Sequence, residues 1–93
     1  MTVGTLRLRL MIRASHSLKD KRRVIRSLKD RIRNRHNVSV AETDAQDSHQ
    51  QAILGIAMVG TDGRYVDGGL AKIVDMVRTS RECELVDYEV EIF

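Results

Sequence analysis

Leu6, Leu8, Leu10 and Ile12 alternate with Thr5, Arg7, Arg9 and Arg13, a period of two that predicts a half-buried strand over Val3 to Arg13. Ala14 to His16 form a connection, and then the period changes. At ~100° per residue, Leu18, Val24, Ile25, Leu28 and Ile32 fall within a sector about 120° wide, which predicts an amphipathic helix. The tetrapeptide Ser-Leu-Lys-Asp occurs twice here, at Ser17 to Asp20 and at Ser27 to Asp30. Each copy has the Ser-x-x-acid form of a helix start. One apolar sector passes beneath both, so the first copy caps the helix and the second lies inside it. Ser27 and Asp30 then face away from the core, with Arg26 one turn from Asp30 as an ion-pair partner. Asn37, which tolerates a left-handed backbone, ends the helix.

Val38 to Glu42 reads as a short strand and the polar Thr43 to His49 as a loop. Gln51 to Val59 is apolar on both sides, as in a central strand with its second face partly covered. Gly60 to Gly63 makes a turn with Thr61 or Asp62 as the next cap. Val66, Leu70, Ile73, Val74 and Val77 follow at helical spacing. Gly69 either permits close packing in this helix or marks a start delayed to Asp67. In the closing Leu-Val-Asp-Tyr-Glu-Val-Glu-Ile-Phe, Val86, Tyr88, Val90 and Ile92 share one side, opposite Asp87, Glu89 and Glu91. The order strand, helix, strand, strand, helix, strand predicts an α+β fold. Specifically, it predicts a ferredoxin-like split βαβ sandwich (βαββαβ), with an antiparallel four-stranded sheet and two helices on one face. The 93 residues form a single domain, 1–93.

Composition narrows the function. No stretch approaches the roughly 20 apolar residues of a membrane span, and arginines interrupt the apolar N-terminal segment where a secretory signal is continuous. A cytosolic location is expected. Cys83 is the sole cysteine, so no intrachain disulfide or cysteine-based zinc cage can form. Charge is distributed unevenly: residues 1–36 carry twelve Lys and Arg against Asp20 and Asp30, and residues 37–93 carry four against eleven acids. Pairing of the first and last strands sets Arg7, Arg9 and Arg13 against Asp87, Glu89 and Glu91, which accounts for part of this asymmetry.

The helix cations are left over. Arg22, Arg26, Lys29 and Arg33 lie at +4, +7 and +11 in one stripe, with Lys19 and Arg23 beside it. A row of fixed cations binds successive phosphates by releasing counterions, so RNA or a ribosome is the expected partner. The sheet itself offers no base-stacking platform, because the strand Gln51 to Val59 contains no aromatic residue. Met11, Ile53, Ala57 and Val59 are the candidates for an apolar patch on the open sheet, and a homodimer or protein-interaction module is the alternative function. Glu42, Asp44, Asp47 and His49 form the one loop with several ligating side chains, but they lack a fixed ligand spacing. No metal, cofactor, small-molecule substrate or catalytic residue is expected, and the protein is read as a non-enzyme.

The segment from Ser17 to Glu42, the Asp-x-Gln-Asp of Asp44 to Asp47, the Ala52 to Ala57 strand and the closing segment together resemble the YlxP-like family of small bacterial proteins, in matching order over essentially the whole chain. Relatives often carry a large apolar or aromatic residue near Ser48, where this chain reads Asp47-Ser48-His49. The resemblance implies a ferredoxin-like α/β sandwich of unknown function. Its genes often lie beside those for a ribosome-binding factor and a translation initiation factor, which implies a role in translation or ribosome assembly. It supplies no catalytic residues.

Overall fold

The computed structural model describes residues 1–93. It contains β1 (Thr2–Met11), α1 (Leu18–Arg35), β2 (Val38–Asp44), β3 (Gln51–Gly60), α2 (Gly63–Arg78) and β4 (Glu84–Ile92). The strands form one antiparallel sheet in the order β2-β3-β1-β4. α1 packs over β2, and α2 over β1, β3 and β4. This is the ferredoxin-like arrangement that the changes of period predict. The alternation in β1 puts Leu6, Leu8, Leu10 and Ile12 into the core, where they meet Leu54 and Ile56 of β3, Leu28 and Ile32 of α1, and Leu70 and Ile73 of α2.

Two β-bulges shift the expected alternation. Asp87 lies opposite Arg9 and Leu85 opposite Leu10, so Val86 is the extra residue and turns out to solvent while Leu85 packs on the core. The expectation that Val86 shares a side with Tyr88 is corrected by this bulge, which reverses the faces of β4 at that point. The second bulge, at Thr43, carries β2 on to Asp44. Thr43 fills the space over Gly55, where a Cβ would meet its methyl carbon at 2.7 Å.

The helix ends also differ in detail. α1 stops at Arg35, and His36 is the cap in an extended conformation, with its N–H donating to Ile32 O at 3.0 Å. Asn37 is therefore not the left-handed terminator; the one non-glycine residue with positive φ is Ala45, at 60°. Asp62 caps α2 by accepting from Tyr65 N at 2.9 Å, and the helix runs unbroken through Gly68 and Gly69. Gly69 is the close-packing position: a Cβ there would lie 2.6 Å from Met58 Sδ.

Across the β1–β4 pair, Arg9 binds Asp87 through Nε and Nη2 at 3.3 and 2.5 Å, and Arg7 lies opposite Glu89. Arg13 pairs with Glu84 at 2.8 Å, rather than with an acid further along β4, because it lies beyond the end of β1. The hydrogen bond from Arg9, and then its charge, hold the Asp87 carboxyl below the usual carboxylate range despite some desolvation.

Candidate nucleic-acid interface on helix α1

α1 starts where the first Ser-Leu-Lys-Asp places it. Ser17 Oγ accepts from Asp20 N at 3.1 Å, and Asp20 Oδ2 accepts from His16 N at 3.1 Å. The cap therefore satisfies free backbone donors at both of its ends. Ser27, of the second copy, is exposed inside the helix.

The inner face holds a cation that the apolar pattern concealed. Lys21 is 1% exposed. Its Nζ donates to Ala45 O at 2.8 Å and Gln51 O at 2.9 Å. It also lies 2.8 Å from Glu42 Oε2, in an ion pair whose angle falls outside hydrogen-bond geometry. Two carbonyls and one carboxylate thus compensate its desolvation. The three partners come from β2, the β2–β3 connection and the start of β3, so Lys21 ties α1 to that end of the hairpin. Its carbonyl partner Ala45 is the left-handed residue, whose N–H also donates to Asp44 Oδ1 at 2.7 Å. The spacing held the signal. Position 21 stands 3, 4, 7 and 11 residues before Val24, Ile25, Leu28 and Ile32, which is the middle of the apolar sector.

The outer face carries the expected stripe, with two of its members committed elsewhere. Arg33 Nη1 lies 3.5 Å from Asp30, and Arg33 Nη2 donates to Val40 O at 3.0 Å. Asp30 pairs with Arg33 and not with Arg26, which corrects the pairing expected from sequence. Arg23 stands 3.8 Å from Glu82, with both side chains well exposed. Lys19, Arg22, Arg26 and Lys29 have no carboxylate within ion-pair distance. Lys19, Arg22, Arg23 and Arg26 surround one surface recess with Asp20 as its single acid and no apolar side chain. Cations held around one recess present a fixed positive field to a polyanion.

The open sheet face is arranged otherwise. Met11 and Ile53 lie at one end, and Ile53 is buried; Ala57 and the exposed Val59 lie at the other, with Arg7 opposite Gly55 between them. The four residues do not form one continuous patch. The loop acids are likewise divided: Glu42 turns inward to Lys21, and Asp44 binds the backbone of Ala45.

A sequence model of the family described as "Protein of unknown function (DUF503)" matches residues 3–90. This chain is a member of the DUF503 family. It is similar, at 29% identity over 91 residues, to the "Uncharacterized protein YlxP" of Bacillus subtilis (strain 168), in an alignment covering 98% of this chain and 99% of that protein. The YlxP-like resemblance of the residues thus has its match in an alignment along nearly the whole chain. No helix of this DUF503 domain is long and apolar enough to cross a membrane.

Proposed function

We propose that this DUF503 domain is a non-enzymatic, cytosolic RNA-binding module of translation or ribosome assembly, contacting RNA phosphates through the outer face of α1. What carries the reading is that Lys19, Arg22, Arg26 and Lys29 have no intramolecular carboxylate partner, while Arg9, Arg13 and Lys21 have one each. A lone exposed cation costs nothing to leave unpaired in water. Four on one face, three of them lining one recess with Arg23, fit a polyanion whose counterions they displace. Filter binding of a ribosomal RNA fragment over a salt series tests this. Wild type binds tightly at low salt, and the variant K19A/R22A/R26A/K29A loses most of that affinity. Equal weak binding by both proteins overturns the reading.

A second reading rests on a separate observation. Met1, Val59 and Tyr65, exposed at 95%, 56% and 61%, surround a recess at the opposite end of the sheet with Gly60 and Thr61, and the exposed Phe93 is hydrogen-bonded to Val3 nearby. Exposed apolar clusters of this kind mark self-association, and a second copy of the chain is the proposed occupant. Sedimentation velocity decides it: Val59→Asp shifts a dimer to monomer, and a wild type that is monomeric at high concentration removes the reading.

A further inference from the structure

Where β1 leaves the sheet, the β1–α1 connection, the first two turns of α1 and the α2–β4 connection enclose a cleft of about 440 Å³, within the roughly 300–1,000 Å³ of small-ligand sites. Its floor is apolar, formed by the buried Ile12, Val24 and Cys83 with Met11 at the side. Its rim is charged but balanced, with Arg13, Arg23 and Arg81 matched by Asp20, Glu82 and Glu84.

The rim charges do different work from those in the recess on α1. Arg13 Nε and Nη2 both bind Glu84 Oε2, at 2.9 and 2.8 Å, while the side chain stays 75% exposed. Its guanidinium is therefore electrically offset and fixed in orientation, with a planar face open to solvent. Arg23 is offset by Glu82. A phosphate gains little from such neutralised arginines. A planar, uncharged ring with donors and acceptors on its edge gains more, since an arginine plane can stack on it, the floor covers its faces and the rim meets its edge. The cleft also adjoins the cationic recess, because Asp20 and Arg23 line both.

We propose that this cleft receives an unpaired base from a single-stranded RNA whose phosphates follow the outer face of α1. The inference rests on the RNA-binding reading of α1 and adds a choice of strand. In a duplex the bases are stacked and paired, and none can turn into the cleft without being extruded.

The test compares a single-stranded RNA with a duplex of equal length at the same salt, for the wild-type protein and two variants at exposed cleft positions. Ala14→Trp fills the cleft mouth, and Arg13→Lys keeps the charge but removes the planar face. Wild type binds the single strand roughly tenfold or more tighter than the duplex, as loss of one base stack implies. Both variants bring single-strand affinity down to the duplex level and leave the salt dependence unchanged. Methyl-labelled methionine supplies an independent readout: the single strand moves the Met11 signal, while those of Met58 and Met76, which pack in or on the core, stay in place and report an intact fold.

Equal wild-type affinity for the two RNAs, variants that keep a single-strand preference, or an unmoved Met11 signal each overturn the cleft proposal and leave the α1 reading standing. A Met11 signal saturated equally well by free AMP assigns the cleft to a mononucleotide and also overturns it. Absence of binding to either RNA overturns both.

Discussion

Lys21 and Arg22 are neighbours in the chain and lie on opposite faces of α1. Lys21 points into the protein, is 1% exposed and has three oxygen partners; Arg22 points out and has no carboxylate partner. Both carry one positive charge, yet the first serves the fold and the second is free to serve a partner. A cation counts towards an interface only after the fold's own acids and carbonyls have been assigned. Among phosphate contacts, that removes Arg9, Arg13, Lys21 and Arg33 and weakens Arg23; of the cations left unpaired, Lys19, Arg22, Arg26 and Lys29 are the ones gathered on the outer face of α1.

Of the two neighbours, the buried Lys21 carries the larger expected effect. Lys21→Met leaves Glu42 as a poorly compensated carboxylate and two carbonyls without their donor, so stability falls by about 3–5 kcal/mol, as in other one-sided removals of buried pairs. Urea unfolding followed by circular dichroism measures this. A loss below ~1 kcal/mol would mean that Lys21 is not structural. Glu42→Leu in the Lys21→Met background recovers part of the loss, because no unpaired charge remains.

Gly69→Ala is next in size. Its added methyl overlaps Met58 Sδ and Cε, both at 2.6 Å, and the overpacking costs about 1–3 kcal/mol, less what Met58 recovers by changing rotamer. The neighbouring Gly68→Ala meets nothing and stabilises by up to ~1 kcal/mol through helix propensity. A pair of equal effects would contradict the packing assigned to α2.

The surface pair of the sheet gives a smaller effect, visible through pH. Arg9 depresses the Asp87 pKa in the folded state, so protons bind the unfolded chain more readily. Stability from this pair is present above the ordinary carboxylate value of 3.8 and is lost as pH falls through the lower folded value. A carbonyl-carbon NMR titration of Asp87 should show a midpoint below 3.8, moving up in Arg9→Ala. An unmoved midpoint removes the pairing. At the free end of the comparison, Arg22→Ala and Arg26→Ala change stability by less than about 0.5 kcal/mol. A larger loss would place those side chains in the fold's own machinery.

Most of the fold was legible in the sequence because the periods of β1, α1 and α2 are clean and their caps are local. Leu6, Leu8 and Leu10 needed no tertiary information to be placed. Val86 and Leu85 did: a bulge arises from pairing, and a single strand's alternation does not reveal it. The site was legible in part. The row on α1 followed from spacing, but which of its members were free depended on Asp30, Glu82 and Val40 O, each brought in by tertiary contact. Lys21 was legible in principle, at the centre of the apolar sector, but a lysine is rarely buried unless paired, and its partners come from β2, the β2–β3 connection and the start of β3. The cleft was not legible, since Arg13, Val24 and Cys83 come from three separate segments joined only by the fold.

On the proposed reading, the unpaired cations on the outer face of α1, and not the arginines of β1, contact RNA. Two charge-matched variants test it most directly, R22A/R26A on the helix and R7A/R9A on β1, by the slope of log K against log salt for a single-stranded RNA. Each lost phosphate contact flattens the slope by about 0.7. A flatter slope and weaker binding are expected for R22A/R26A, with R7A/R9A close to wild type. Equal flattening by both variants, or flattening by R7A/R9A alone, would contradict it.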